Sequence, residues 1–343
     1  MLDSVARVEE YANVDAACFG VIRRGNRPAV LRGLVDSWPL VVHGRRSPQA
    51  IVDYLTGFYN GSLVSTVTAR PEVRGRLFYE DDARALNFAV SVEKMSSVLK
   101  GLLRQIDAPD PIGIAMQGVS AAEHLPGLEA DHPMPLVPPG TGARLWIGNR
   151  VTVAPHFDVA DNIACVVAGR RRFVLFPPEQ LPNLYVGPFD LTPAGVPVSM
   201  VRFDDPDFDT HPRFRDALAA AQVAELGPGD ALYIPYMWWH GVQSLDPLSI
   251  LVNYWWNADA VSAQHPYGAL LHAATLLYRD MPAEQRAIWR TMHDHYVFGV
   301  NGDPAAHLRP EHRDRHRPIA PAAVAGLKSA LADLIDGAPE QQG

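Results

Sequence analysis

Pro155-His156-Phe157-Asp158 and, further along, Trp238-Trp239-His240 are the stretches whose reading decides the fold. An imidazole and a carboxylate two positions apart on an extended chain point to the same side, because strand side chains alternate with period two. A second imidazole, brought in from a later strand, would complete one face of an octahedral metal ion. Two histidines and one carboxylate on a single face leave three positions open, which is the ligand set of non-haem Fe(II) oxygenases. The competing reading of the same residues is a core histidine hydrogen-bonded to Asp158.

Working outward, strand follows strand from Arg144 onwards: 144–148, 151–155, 162–168, 172–176, 223–226, 231–234, 239–245 and 248–256. Ala168-Gly169-Arg170 reads as a hairpin turn, and Gly227-Pro228-Gly229-Asp230 as a second turn. Short strands at this spacing, separated by Gly/Pro turns, predict a sandwich or barrel. Upstream, residues 1–25 read as an amphipathic helix and its exit, 27–34 as a strand, and Ser37-Trp38-Pro39 as a turn. Ser47-Pro48 caps a helix to about Tyr59. Strands at 63–69 and 76–79, a helix over 92–104 and a strand over 111–117 follow. Residues 183–210 form a Pro/Gly-rich loop with a strand near 198–202, before a helix over 212–221. After Val261 the pattern is helical: 267–279, 283–293 and 321–335. The expected architecture is mainly β, a double-stranded β-helix (jelly roll). Residues 111–257 make its core, 1–110 an N-terminal α/β elaboration and 258–343 a C-terminal helical extension.

Composition excludes several classes. A net charge of -8 argues against a nucleic-acid or anionic-membrane partner. No run approaches the roughly 18 apolar residues of a membrane span. The first ten residues lack the basic start and apolar run of a signal peptide. Cys18 and Cys165 are the only cysteines, so a disulfide framework and a zinc–thiolate site are excluded and a cytoplasmic location is expected. Lysine occurs only at 94, 100 and 328, which reads as the base composition of a GC-rich bacterial genome.

Five segments in order carry a resemblance. They are Arg27-Pro28-Ala29-Val30-Leu31-Arg32-Gly33-Leu34 with Trp38-Pro39; His156-Phe157-Asp158 with Asn162; Gly169-Arg170-Arg171-Arg172-Phe173 with Leu175-Phe176-Pro177-Pro178; Gly229-Asp230 with Tyr233-Ile234-Pro235 and Trp238-Trp239-His240; and Val252-Asn253-Tyr254-Trp255. From about residue 25 to 257 the chain resembles the cupin-like branch of the JmjC superfamily. These are Fe(II)- and 2-oxoglutarate-dependent dioxygenases that include the asparaginyl hydroxylase of the hypoxia-inducible factor. It is most similar to bacterial cupin-like proteins encoded near tryptophan halogenases.

The resemblance implies that His156, Asp158 and His240 ligate iron. It places Asn162 and Asn253 at the metal-side carboxylate of 2-oxoglutarate and Arg171 at the far carboxylate, where the family has lysine. Two positions depart from the family. Val153 stands where a threonine is usual, leaving Thr152, one residue earlier, as the candidate hydroxyl. Ala115 stands where a tyrosine helps hold the cosubstrate. The implied reaction consumes O2 and 2-oxoglutarate, releases succinate and CO2, and hydroxylates a protein or peptide side chain. A small-molecule hydroxylase of the same chemistry and a non-catalytic metal-binding cupin module are the alternatives. Phe78, Tyr79, Glu80, Asp81, Gln117, Trp255 and the 183–197 loop are candidates for the substrate side, with core packing the other reading of Phe78 and Trp255. His124 and His132 are placed to rim the cleft. His293 and His295 diverge at a helix end, and His307, His312 and His316 lie in a polar loop. The apolar stripes Leu270, Leu271, Ala274, Leu277 and Ile288, Met292 fit packing on the barrel. By the same resemblance they fit a homodimer through the C-terminal helices.

Overall fold

The computed structural model describes residues 1–80, 83–257, 266–309 and 324–335. Asp81, His312, His316, the start of the last helix at Pro321 and the side chain of Leu271 lie outside the described residues. The backbone groups into two compact units, Met1–Trp256 and Asn257–Gly343.

The first unit begins with β1 (Ala6–Arg7), β2 (Glu9–Ala12), α1 (Ala16–Arg24), β3 (Ala29–Arg32), α2 (Pro39–Arg46), α3 (Pro48–Phe58) and β4 (Leu63–Ala69). Next come β5 (Arg76–Leu77), β6 (Phe88–Lys94), α4 (Met95–Arg104), β7 (Gly113–Ser120) and α5 (Ala121–His124). Then follow β8 (Ala143–Gly148), β9 (Thr152–His156), β10 (Asp161–Ala168), β11 (Arg171–Phe176), α6 (Phe214–Ala219), β12 (Gln222–Leu226), β13 (Ala231–Ile234), β14 (Trp239–Ser244) and β15 (Ser249–Trp256). The strands form two sheets, six-stranded in the order β1-β12-β11-β14-β9-β5 and nine-stranded in the order β2-β3-β13-β10-β15-β8-β7-β4-β6. This is the jelly-roll sandwich expected from the strand spacing, with helices outside it.

Alternation along the strands builds two cores. From β10, Ile163, Cys165 and Val167 face one side; from β15, Ile250, Val252 and Tyr254 do the same. They meet Phe19 and Ile22 of α1, Leu40 and Val41 of α2, Ile51 and Leu55 of α3, and Leu99 and Leu102 of α4. The alternate residues Ala164, Val166 and Leu251 point inward and pack with Phe173 and Leu175 of β11, Leu232 and Ile234 of β13, and Trp238. The inner core is therefore shared by both sheets, and the site opens from it.

Several local elements differ from the sequence expectation. The first 25 residues are not one helix. Two short strands precede α1, which starts at the Asp15 cap, whose carboxylate accepts the Cys18 N–H at 2.8 Å. Parallel pairing of β1 with β12 and of β2 with β3 draws that segment into both sheets. The expected helix over 92–104 begins only at Met95, because β6 pairs with β4 from Leu63↔Lys94 to Ala69↔Phe88. The Trp38-Pro39 turn opens α2, with Pro39 in the first helical turn where its missing N–H costs nothing. The strand expected near 198–202 is reduced to one bridge, Val186↔Ser199. The Ser47 cap and the Gly169 turn stand as read: Ser47 Oγ accepts from the Ala50 N–H, and Gly169 adopts φ 65°.

The second unit contains α7 (Pro266–Gly268), a π-helical turn (Ala269–Ala274), α8 (Thr275–Tyr278), α9 (Ala283–Tyr296) and α10 (Val324–Ile335). Much of its apolar surface is exposed, including Leu270, Leu276, Ile288 and Met292. Among the described residues no helix is long and apolar enough to cross a membrane.

α2 approaches β10 so closely that a Cβ on Gly44 would stand 2.0 Å from the Val167 carbonyl oxygen. Gly44→Ala is expected to cost about 1–3 kcal/mol through overpacking, read as a lowered thermal midpoint. An unchanged midpoint would show that α2 can shift away freely.

Candidate metal and cosubstrate site

β9 and β14 run antiparallel with His240 opposite His156. The next paired positions are Val242 and Val153, so three steps on β9 oppose two on β14. This bulge changes the parity of β9. Val151, Val153 and His156 consequently line one cavity, whereas Thr152 does not reach it. β9 ends at His156, and Asp158 lies just beyond the strand rather than on it. A backbone hydrogen bond from the Met237 N–H to the Asp158 carbonyl (3.1 Å) ties this turn to the one preceding β14. Met237 sits at φ 62°, an uncommon conformation for a non-glycine residue.

His156, Asp158 and His240 offer ligand atoms that all lie within 4.8 Å of one another, and this is the one group of its kind among the described residues. Each imidazole is anchored through Nδ1, His156 to the Ala154 carbonyl (2.9 Å) and His240 to the Trp238 carbonyl (3.0 Å). Anchoring Nδ1–H to a carbonyl leaves the Nε2 lone pair for a metal. His240 Nε2 stands 3.6 Å from Asp158 Oδ2. Burial, reinforced by the adjoining His240 ring, pushes His156 down to about 4, so its imidazole is neutral at physiological pH. Two imidazoles, each with Nε2 turned away from its anchoring carbonyl, and a carboxylate, with the rest of the cavity free, fit a divalent iron ion.

The cavity, of about 250 Å³, lies between the sheets. Arg171 of β11 is buried in its wall. Its Nε donates to Ser249 Oγ (2.8 Å) and its Nη2 to the Trp146 carbonyl (3.0 Å). Among the described residues no carboxylate pairs with it. Burial lowers its pKa to about 10, which still leaves it charged at neutral pH. Its neighbours point elsewhere, as strand alternation requires: Arg172 pairs with Glu225 and Arg170 with Asp246. Asn162 and Asn253 are buried and adjacent, Asn253 Nδ2 donating to Asn162 Oδ1 at 3.3 Å. Asn162 Nδ2 in turn donates to Asp158 Oδ2 at 3.3 Å.

Gln117 and Trp255, both candidates for the substrate side, line the cavity, and Trp255 Nε1 also donates to Asp158 Oδ2 (3.0 Å). Phe78 and Tyr79 do not. They pack with Ala154, Leu191 and Ala194, and the Tyr79 hydroxyl donates to the Leu191 carbonyl (2.8 Å). They therefore support the loop whose Pro193, Ala194 and Gly195 border the cavity. Val153 and Ala115 do line it, and Trp146 with them. His124 and His132 are buried away from the cavity. His132 accepts the Leu40 N–H at 3.1 Å and packs edge-on against Trp38, while His124 bonds Ser62. Both histidines are satisfied by the scaffold. His293 and His295 engage Tyr278 and Tyr296 respectively. Sequence reading missed Trp146 and Ser249. Period-two alternation could have found Ser249, which shares a strand face with Leu251, Asn253 and Trp255.

The family described as the cupin-like domain matches residues 16–261, most of the chain. Lysine-specific demethylase JMJ31 of Arabidopsis thaliana is 37% identical over 107 residues, which is 31% of this chain and 19% of that protein. HSPB1-associated protein 1 of Homo sapiens is 37% identical over 118 residues, 34% of this chain and 24% of that protein. tRNA wybutosine-synthesizing protein 5 of Gallus gallus is 33% identical over 130 residues, 37% of this chain and 35% of that protein. The matched part thus covers about a fifth to a third of these relatives' length.

A histidine whose pKa is lower folded than unfolded weakens the fold as pH falls, because the unfolded chain takes up the proton first. For His156 the window runs from about 6.5, its unfolded value, down to about 4. Metal-free protein is expected to lose thermal stability across that window, and His156→Asn to lose less. Equal losses in both would show that His156 is not held neutral.

Proposed function

We propose, since the chain belongs to the cupin-like domain family, that it is an Fe(II)- and 2-oxoglutarate-dependent dioxygenase that hydroxylates a protein or peptide side chain. The family includes oxygenases of this kind. The kinship to asparaginyl hydroxylases carried by the motifs belongs to the same reading. The observation that supports it best is Arg171. A charged guanidinium is buried, with no carboxylate partner among the described residues, in the wall of the cavity that holds His156, Asp158 and His240. Burying an unpaired charge is costly, so the arrangement suits a ligand that brings the missing negative charge.

When bound, Fe(II), 2-oxoglutarate and O2 supply the oxidation of a C–H bond, with succinate and CO2 as co-products. His156, Asp158 and His240 would hold the iron. Arg171 receives the far carboxylate of the cosubstrate, bidentate pairing being natural to a guanidinium. Asn162 and Asn253 offer amide N–H groups to the near carboxylate. Val153, Phe173, Leu251 and Trp146 give the cavity apolar walls that strengthen these polar contacts by excluding water. With Val153 and Ala115 in place of hydroxyl-bearing residues, the far carboxylate depends on Arg171, whose guanidinium Ser249 holds in place from behind. Gln117 and the Trp255 indole face the substrate.

The test is anaerobic. Addition of Fe(II) and 2-oxoglutarate should give a weak visible charge-transfer band, and O2 should then give succinate. No band and no succinate would leave a non-catalytic cupin module. Arg171→Ala should weaken 2-oxoglutarate binding about 10- to 100-fold, the loss of charge-assisted hydrogen bonds, while sparing metal affinity. An unchanged cosubstrate affinity would remove Arg171 from this role.

The exposed Leu270, Leu276, Ile288, Trp289 and Phe298 support a homodimer through the C-terminal helices. Light scattering is expected to give twice the chain mass for the native protein and a smaller species for Ile288→Glu. A native monomer would exclude the dimer.

A further inference from the structure

Trp146 is the first member of a hydrogen-bonded series that ends on Asp158. Its Nε1 donates to Asn253 Oδ1 (2.9 Å). Asn253 Nδ2 donates to Asn162 Oδ1 (3.3 Å), and Asn162 Nδ2 to Asp158 Oδ2 (3.3 Å). Trp255 Nε1 reaches the same Oδ2 from its own direction (3.0 Å). The two indoles also touch each other edge to face, with centroids 5.7 Å apart.

The ends of this series have fixed polarity. An indole N–H can only donate, and an ionised carboxylate can only accept. Amides can face either way, and the two asparagines between have no choice once both ends are set. Trp146 forces Asn253 to present its oxygen to the indole and its nitrogen to Asn162. Asn162 must then present its nitrogen to Asp158. An inverted amide would set oxygen against oxygen at one link and leave a buried donor unpaired at another, each a substantial cost in a low-dielectric site.

We propose that Trp146 is a positioning residue of the metal site: through Asn253 and Asn162, and together with Trp255, it fixes the orientation of the Asp158 carboxylate. The inference rests on His156, Asp158 and His240 holding a divalent metal. It gives Trp255 a second task besides lining the substrate side. It also accounts for a tryptophan at a cavity wall where a smaller apolar residue would fill space without a donor. Because the Trp146 carbonyl accepts from Arg171 Nη2, one residue touches both ends of the cosubstrate cavity, the side chain steering the amides and the backbone steadying the guanidinium.

The test is Co(II) titration of the apoprotein, followed by the visible d–d absorption, with the metal-free thermal midpoint measured alongside. Trp146→Phe keeps the aromatic bulk and removes the donor. Acting through two amides, it should weaken Co(II) binding by roughly 10-fold, the lower end of the range for losing an outer partner of a ligand. Trp255→Phe, which removes a hydrogen bond made to Asp158 itself, should weaken it roughly 10- to 100-fold, and it tests the Asp158 end of the series if Trp146→Phe does not fold. Asn253→Ala interrupts the series downstream, so Trp146→Phe/Asn253→Ala should be no weaker than Asn253→Ala alone. Trp38→Phe is the control. Its buried indole donates to the Pro133 carbonyl (3.1 Å) outside the series, and its loss should leave Co(II) affinity unchanged. Wild-type affinity in Trp146→Phe would overturn the proposal, as would weakening that adds in full to that of Asn253→Ala. Failure of the wild-type protein to bind Co(II) at all would instead overturn the metal-site reading beneath it.

Discussion

His240 stands opposite His156 because β14 pairs antiparallel with β9, and the polar groups of the cavity take their places around that pairing. The extra residue on β9 turns Val153 and His156 to one side together. The left-handed Met237 and its hydrogen bond to Asp158 hold the following turn in place. No covalent link enforces this; both cysteines are free. The restraint comes from the ladder of backbone hydrogen bonds and from the apolar residues of both sheets behind it. A small slip of β14 would carry His240 out of reach, since one residue of register reverses every side chain.

The electrostatics of the cavity follow from burial. His156 is held neutral, which suits a metal ligand, whereas Arg171 keeps its charge with a hydroxyl and a carbonyl as its partners among the described residues. The two groups set opposite demands on whatever enters: a cation between the imidazoles and the carboxylate, an anion at the guanidinium. A dicarboxylate that also binds metal meets both at once. Any such ligand binds the folded state alone, so it also stabilises the fold by mass action.

Much of this was legible in the residues. The strand alternation from Arg144 to Trp256, the Ser47 cap and the Gly169 turn depend on neighbours close in sequence, and local rules capture them. The His156-Asp158-His240 cluster was legible because its members belong to recurrent motifs. What could not be read arises from contacts between distant segments. The split of 92–104 into strand and helix depends on β4, and the N-terminal strands depend on β12 and β3. The bulge that removes Thr152 from the cavity exists only once β9 meets β14. Phe78 and Tyr79 lie under the loop they were expected to accompany, because their rings pack against Leu191 and Ala194. Trp146 went unnoticed because a lone tryptophan on a strand carries no mark of what its N–H will find.

β10 separates two kinds of requirement residue by residue. Asn162 and Ala164 face the cavity, while Ile163, Cys165 and Val167 face the helices. Burial also raises the Cys165 thiol well above its ordinary range, keeping it protonated and unreactive behind the sheet. Heritable variation can therefore act on alternate positions nearly independently. A lineage can remodel the chamber through the inward set while the outward set conserves the scaffold. A strand with both faces buried thus answers to two separate sets of neighbours, the chamber on one side and the helices on the other.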